Sequence, residues 1–206
     1  MKLVHFYHVY ADGYWQDAAA DHFQALEASG LMDELDDIFL GVVGRPENRS
    51  AVKRELPGVV VAEAVEGWEQ VTLRKLHTYA KQNTAKIFYA HTKGAWSNSE
   101  FATQWRLSMT EDTVTRWQEC VKGLDEAQCV GPFWISSEDE RHAGHKHFFA
   151  GNFWWARTDY LATLPRLKYD HRFRAEGWIG LKEPKIINLG KDEPAWEAFW
   201  RRNGRA

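Results

Sequence analysis

A chain of 206 residues can bury a full core without disulfides or a structural metal, and its length suits one domain. Its 26 Lys and Arg against 29 Asp and Glu leave a net charge of −3, which argues against a general grip on phosphate backbones. Two cysteines, Cys120 and Cys129, exclude a secreted disulfide framework and fit a reducing, cytoplasmic setting. The N-terminal residues lack a signal-peptide pattern, and no apolar run approaches the ~18 residues of a membrane span. The unusual count is 11 Trp, beside 11 Phe and 7 Tyr; such aromatic faces suit sugars or bases, or simply a well-packed core.

Taken in chain order, Leu3–Tyr10 is rich in β-formers and ends at the turn signal Ala11-Asp12-Gly13. Tyr14–Ser29 carries Trp15, Ala19, Phe23 and Leu26 at helical spacing, with Gly30 placed to close the helix. Asp37–Gly44 and Gly58–Val65 predict a second and a third strand, Trp68–Asn83 an amphipathic helix, and Ala85–His91 a fourth strand. The order β-α-β-β-α-β predicts an α/β domain with a mixed, mainly parallel sheet flanked by helices and ligands at the carboxyl ends of its strands. Steps of four from Phe101 to Val121 predict one long helix or two over 100–124. Val130–Ile135 predicts a strand, Ser136–His147 a polar loop, Phe148–Ala156 a strand, and Thr158–Leu164 a short helix stopped by Pro165. Lys185–Leu189 predicts a last strand and Pro194–Arg202 a closing amphipathic helix.

Four constellations could carry chemistry. Tyr89-Ala90-His91-Thr92-Lys93-Gly94 ends a buried strand, where His91 and Lys93 could hold a diphosphate. In Gly151–Arg157 the adjacent Trp154 and Trp155 point to opposite faces of a strand. One of them could then stack on a sugar, with Asn152 serving its hydroxyls, unless helices cover both faces and both indoles are core. Glu176, among aromatics and glycines, is a candidate general base or the partner of Arg172 or Arg174. His142, His145 and His147 have a spacing that zinc or nickel could use, but no acidic or cysteine partner stands at a recognised ligand spacing, so no metal site is expected there. Cys120 and Cys129 read as buried thiols.

In this order, Ser29-Gly30-Leu31, Gly41–Gly44, Thr72–Leu76, His91–Gly94, Trp105–Met109, His147–Ala156 and Ala175–Ile179 give the chain a resemblance to a known group. It resembles small GT-A-fold glycosyltransferases of bacteria and large DNA viruses or phages, and more distantly capsular-polysaccharide and rhamnan-synthesis transferases. The resemblance covers nearly the whole chain. It implies a single transferase domain over residues 1–206, with a donor-nucleotide half (1–94) and an acceptor half (95–206). It implies a nucleotide-diphospho-sugar donor near His8, Arg45, Thr72, Lys75, His91, Thr92 and Lys93, and an acceptor near Asn152, Trp154, Trp155 and Trp178. The acceptor would be a glycan, a protein or a modified DNA base, with Glu176 as its base. Many GT-A enzymes hold Mn²⁺ or Mg²⁺ through an Asp-x-Asp at the end of the fourth strand. Here His91-Thr92-Lys93 occupies that place, so the metal is left open and Lys93 could supply the positive charge. The competing readings are a lectin-like domain without turnover and, further off, a nucleic-acid binder using its aromatics.

Overall fold

Seven strands form one sheet in the order β3 (Val59–Ala64), β2 (Asp37–Val43), β1 (Lys2–Tyr10), β4 (Ala85–His91), β8 (Trp154–Arg157), β5 (Cys129–Gly131) and β9 (Ile186–Asn188). The computed structural model describes residues 1–97, 99–136, 146–169 and 171–189. Strands β1 (Lys2–Tyr10), β2 (Asp37–Val43), β3 (Val59–Ala64) and β4 (Ala85–His91) run parallel. Strand β8 (Trp154–Arg157) joins β4 antiparallel, and β5 (Cys129–Gly131) and β9 (Ile186–Asn188) follow beyond it. The sheet is therefore mixed and mainly parallel, with β8 alone reversed.

Helices cover both faces. On one lie α1 (Trp15–Ala28), α3 (Pro46–Glu55), α5 (Glu100–Thr110) and α6 (Trp117–Gly123), packed on Tyr7, Phe88 and Trp155. On the other lie α4 (Gln70–Ala80), α7 (Thr158–Leu161) and α8 (Arg174–Gly177), packed on Phe6, Tyr89 and Trp154. A four-residue helix, α2 (Leu31–Glu34), leads into β2. Double coverage explains why the strands read as continuous apolar runs rather than alternations.

Several elements differ from the sequence expectation. Helix α3 was not expected, because of its ten residues only Val52 is buried and no apolar stripe marks it. Its signals are polar: Pro46 at the start, Glu47 in the first turn, Lys53 and Arg54 in the last. The 100–124 segment is broken by a π-helical turn, Glu111–Thr115, whose Thr113 carbonyl accepts the Trp155 indole N–H at 2.9 Å. Val130–Ile135 is two strands, because β6 (Trp134–Ser136) leaves the main sheet to pair with β7 (His147–Phe149). Phe148–Ala156 is likewise β7 and β8, separated by a tight turn. The residues expected to be loop between Ser136 and Lys146, and the Pro194–Arg202 helix, lie outside the described residues.

Polar side chains in the core are paired with care. His5 on β1 faces His22 on α1 with Nε2 to Nε2 at 2.9 Å, and His5 Nδ1 donates to the Phe88 carbonyl at 3.1 Å. That bond fixes His5 Nε2 as an acceptor, so His22 donates and its own Nδ1 remains without a partner. Both rings must be neutral. Burial holds His5 down at about 4 and His22 well below its usual value. The unfolded chain therefore binds protons between about pH 6.5 and 4 that the native state refuses, and stability falls as pH falls through that window. Urea denaturation at stepped pH should show this decline, and His22→Phe should make it shallower without abolishing it, because other buried histidines share the effect. A pH-independent midpoint between pH 7 and 4.5 would show the pair to be solvated.

Candidate functional site

Strands β1 and β4 end side by side, with His8 and His91 in register. Helix α4 starts above them. It approaches closely because Gly41, the β2 residue in register with His8, has no side chain; a Cβ there would meet Thr72 Oγ1 at 1.9 Å. Thr72 Oγ1 lies 2.7 Å from His8 Nδ1. Burial holds His8 at about 4.

Glu69, at the N-terminus of α4, was not selected from the sequence. Its Oε2 accepts the Tyr89 hydroxyl at 2.9 Å and the Asn152 amide at 2.6 Å. Its Oε1 lies 3.8 Å from His91 Nδ1. His91 donates Nε2–H to the Gly151 carbonyl at 2.9 Å, which leaves Nδ1 as a bare lone pair. Burial, and then the Lys93 ammonium, push His91 down to about 3. The pair is thus a neutral imidazole beside a carboxylate, too far apart for a hydrogen bond. Two electron-pair donors face one space, and a ligand proton between them would satisfy both.

The turn before β8 closes the site. Gly151 has φ 92° and Asn152 φ 58°, backbone conformations that side chains rarely adopt. A Cβ on Gly151 would meet Met109 Sδ at 2.4 Å. Two carboxylates hold this turn: Glu69 through Asn152, and Glu176 Oε1, which accepts the Gly151 N–H at 2.6 Å. Asn152 in turn accepts the Trp154 indole N–H at 2.7 Å. Glu176 therefore does stand near His91, but one of its oxygens holds backbone. Lys93 Nζ lies 4.3 Å from the centroid of the Trp105 ring, and it forms no ion pair among the described residues. Arg106 holds the Lys93 carbonyl at 2.9 Å and pairs with Asp21 at 2.6 Å.

The structure thus brings together His8, Thr72, His91, Lys93, Asn152 and Glu176. Thr92 is a turn-holder here, its hydroxyl accepting the Tyr10 N–H at 2.9 Å. Arg45 is solvent-exposed beside Asp12, whose Oδ1 accepts the Arg45 N–H at 2.8 Å and the Asn48 amide at 2.9 Å. Lys75 lines a different cleft, described below. The tryptophans expected on the acceptor side correct that expectation. Trp154, Trp155 and Trp178 are each 0% exposed, because both faces of the sheet are covered, and none offers a face to a sugar. Indoles exposed near the strand ends include Trp96, 78% exposed and 5.8 Å from the Tyr10 ring, and Trp68 between β3 and α4, 46% exposed.

Of the three histidines, His142 and His145 lie outside the described residues; His147 Nδ1 is 2.9 Å from Ser136 Oγ. Among the described residues no group of three or more His, Cys, Asp or Glu could hold a metal. At the strand ends Asp12 is engaged by Arg45 and Asn48, and Glu69 Oε2 by Tyr89 and Asn152. Glu69 Oε1 and His91 Nδ1 are left as one pair of donors, with the Lys93 charge close by, and one such pair is a poor fit to a divalent cation, which takes about four to eight ligands. Cys120 and Cys129 are free and buried.

The seven-stranded, mainly parallel sheet has the nucleotide-diphospho-sugar transferase fold, as its likeness to solved structures shows. The chain is similar to the solved 4-diphosphocytidyl-2C-methyl-D-erythritol synthase of Anaerococcus prevotii, at 7% identity and a TM-score of 0.52, over 93% of this chain and 90% of that one. It is also similar to a CMP:2-keto-3-deoxy-manno-octonic acid synthetase complexed with CTP, at 10% identity and a TM-score of 0.53, over 98% of each chain. The chain belongs to the family described as Domain of unknown function (DUF8361), whose model matches residues 6–176. No curated protein sequence matches it. No helix among the described residues is long and apolar enough to cross a membrane.

The turn makes a direct forecast. Asn152→Ala strands the buried Trp154 N–H and keeps a Cβ at positive φ, so it should cost about 1–3 kcal/mol. Asn152→Gly should recover only the backbone share. Denaturant midpoints measure both. An Asn152→Ala variant within about 0.5 kcal/mol of wild type would mean that Glu176 alone holds the turn.

Proposed function

We propose that the protein is a glycosyltransferase that moves a sugar from a nucleotide-diphospho-sugar to an acceptor hydroxyl. The observation that supports this most is the Glu69–His91 pair. Oε2 of Glu69 is pinned by two donors, while Oε1 stands open opposite the bare Nδ1 of His91. A carboxylate held by one oxygen and free at the other is pre-oriented to take a proton. In the reaction the acceptor hydroxyl gives its proton to this pair, and its oxygen bonds to the anomeric carbon. The anomeric carbon–oxygen bond to the diphosphate breaks, and the electron pair leaves on the nucleoside diphosphate. Lys93, with no carboxylate partner among the described residues, is placed to balance the charge that develops there. Trp96 offers its exposed face to a sugar or a base.

Glu69 takes the role of base, and Glu176 the role of holding the Gly151 turn. Glu69→Gln should cut turnover by ~10²–10⁴-fold with donor affinity nearly unchanged, because the amide keeps an acceptor for Tyr89. Glu176→Gln should instead lower the melting temperature and preserve turnover per folded molecule. The reverse pattern would make Glu176 the base. Lys93→Ala should weaken donor binding by a charge-assisted contact, ~1.5–3 kcal/mol.

The activity test incubates the protein with a panel of nucleotide-sugars and hydroxyl acceptors, following nucleoside diphosphate and glycosylated product. Acceptor-dependent release supports transfer. Glycan binding with no use of nucleotide would make the protein lectin-like. Pyrophosphate released from CTP in the presence of a sugar would instead align it with the activities after which its two structural neighbours are named.

A further inference from the structure

Away from the strand ends, α4 presents a second polar feature. Its outer face, edge strand β3 and the segment after α7 enclose a cleft of about 460 Å³. Arg74, Lys75 and Lys81 reach it from the helix, and Arg166 and Tyr169 from the opposite wall. Among the described residues the one acid on its lining, Glu63, is already taken by Arg49 at 3.3 Å and Lys53 at 2.8 Å, both on α3. Among the described residues no carboxylate pairs with Arg74, Lys75, Lys81 or Arg166. In a chain whose acids outnumber its bases, 29 to 26, four cations without a described carboxylate partner around one concavity repel one another, and a bound anion would relieve that.

Two further details describe the cleft. His77 forms part of its wall and is only 4% exposed; its Nε2 has no hydrogen-bond partner among the described residues and is sealed from solvent, so the ring senses the wall without reaching into the cleft. Burial holds the His77 pKa below its usual value; the charges of Lys81 and Arg166 add to this, and the Leu164 and Ala162 carbonyls oppose it. Arg74 lies with its guanidinium carbon 4.8 Å from the centroid of the Tyr169 ring. This cation–π contact holds the guanidinium at the cleft wall, where its N–H groups suit paired bonds to a phosphate.

We propose that this cleft binds a phosphate ester of nucleotide size carrying at least two negative charges, gripped by Arg74, Lys75, Lys81 and Arg166 with His77 at its wall. The volume suits a small molecule, and four cations exceed what a single carboxylate would balance. This site shares no lining residue with the Glu69–His91 cluster, so it stands or falls apart from the transferase reading.

The test uses the whole chain, with inorganic pyrophosphate and ADP as probes. Calorimetry and His77 imidazole resonances are followed in wild type, Lys93→Ala, Lys81→Gln and the Arg74→Ala/Arg166→Ala double variant. The expected result is binding that moves the His77 resonances in wild type and in Lys93→Ala alike. Lys81→Gln should weaken it, and the double variant should weaken it at least tenfold while keeping the wild-type melting temperature. Should the double variant melt early, Lys81→Gln decides. Three results would overturn the proposal: no binding of either probe, His77 resonances that stay still, or equal affinity in the neutralised variants. A DNA duplex binding more tightly than pyrophosphate, with a steep salt dependence, would also overturn it, marking an extended nucleic-acid surface instead.

Discussion

The carboxylate of Glu69 ties together three elements that are distant in sequence. It begins α4, takes the hydroxyl of Tyr89 on β4, and takes the amide of Asn152 in the turn that leads into β8. Through Asn152 it also fixes the Trp154 indole. A residue buried at positive φ persists only where its surroundings over-determine it. Here one carboxylate anchors the side chain of Asn152 and another, Glu176, anchors the backbone beside it. The strain is thus located at the strand ends, in contact with His91, and this is where the chemistry is proposed.

The second constraint is electrical. Ionisable rings buried in the sheet or against it include His5, His8, His22, His91 and Tyr89. Burial pushes each of them toward its neutral form. Neutral imidazoles can each donate once and accept once, so their tautomers are set by the carbonyls they meet. Phe88 sets His5, and Gly151 sets His91. In the first case the leftover lone pair is sealed in the core at His22; in the second it faces Glu69 near the surface. The same local rule yields a structural pair in one place and a candidate proton acceptor in the other. Access is what separates them.

Coverage of both sheet faces is the third. It turns the tryptophan wealth of the chain into packing: Trp155 stacks on Phe88 at 5.1 Å on one side, and Trp154 on Tyr89 at 5.0 Å on the other. Each indole N–H meets an acceptor, as buried Trp requires. Exposed aromatic surface is left at positions such as Trp96, beyond the last strand residue of β4.

The sequence by itself determined the first half of the fold. Strands β1 to β4 with α1 and α4 were legible because burial repeats along each element with its own period, and a period is a local property. It also located the polar cluster His91 to Lys93, since a buried run ending in polar residues marks a strand end. What it did not determine was convergence. Glu69 and Glu176 are separated by 107 residues, and only the stacking of α4 and α8 on one face brings both to the turn at Gly151. Helix α3 carries too few apolar residues for periodicity to register, and the division of Phe148–Ala156 into two strands depends on a positive φ at Asn152 that long-range bonds impose. Whether Trp154 and Trp155 were platforms or core turned on what covers the sheet, which no single strand encodes. Local pattern states which side of an element is buried; only the register between elements decides which side chains meet.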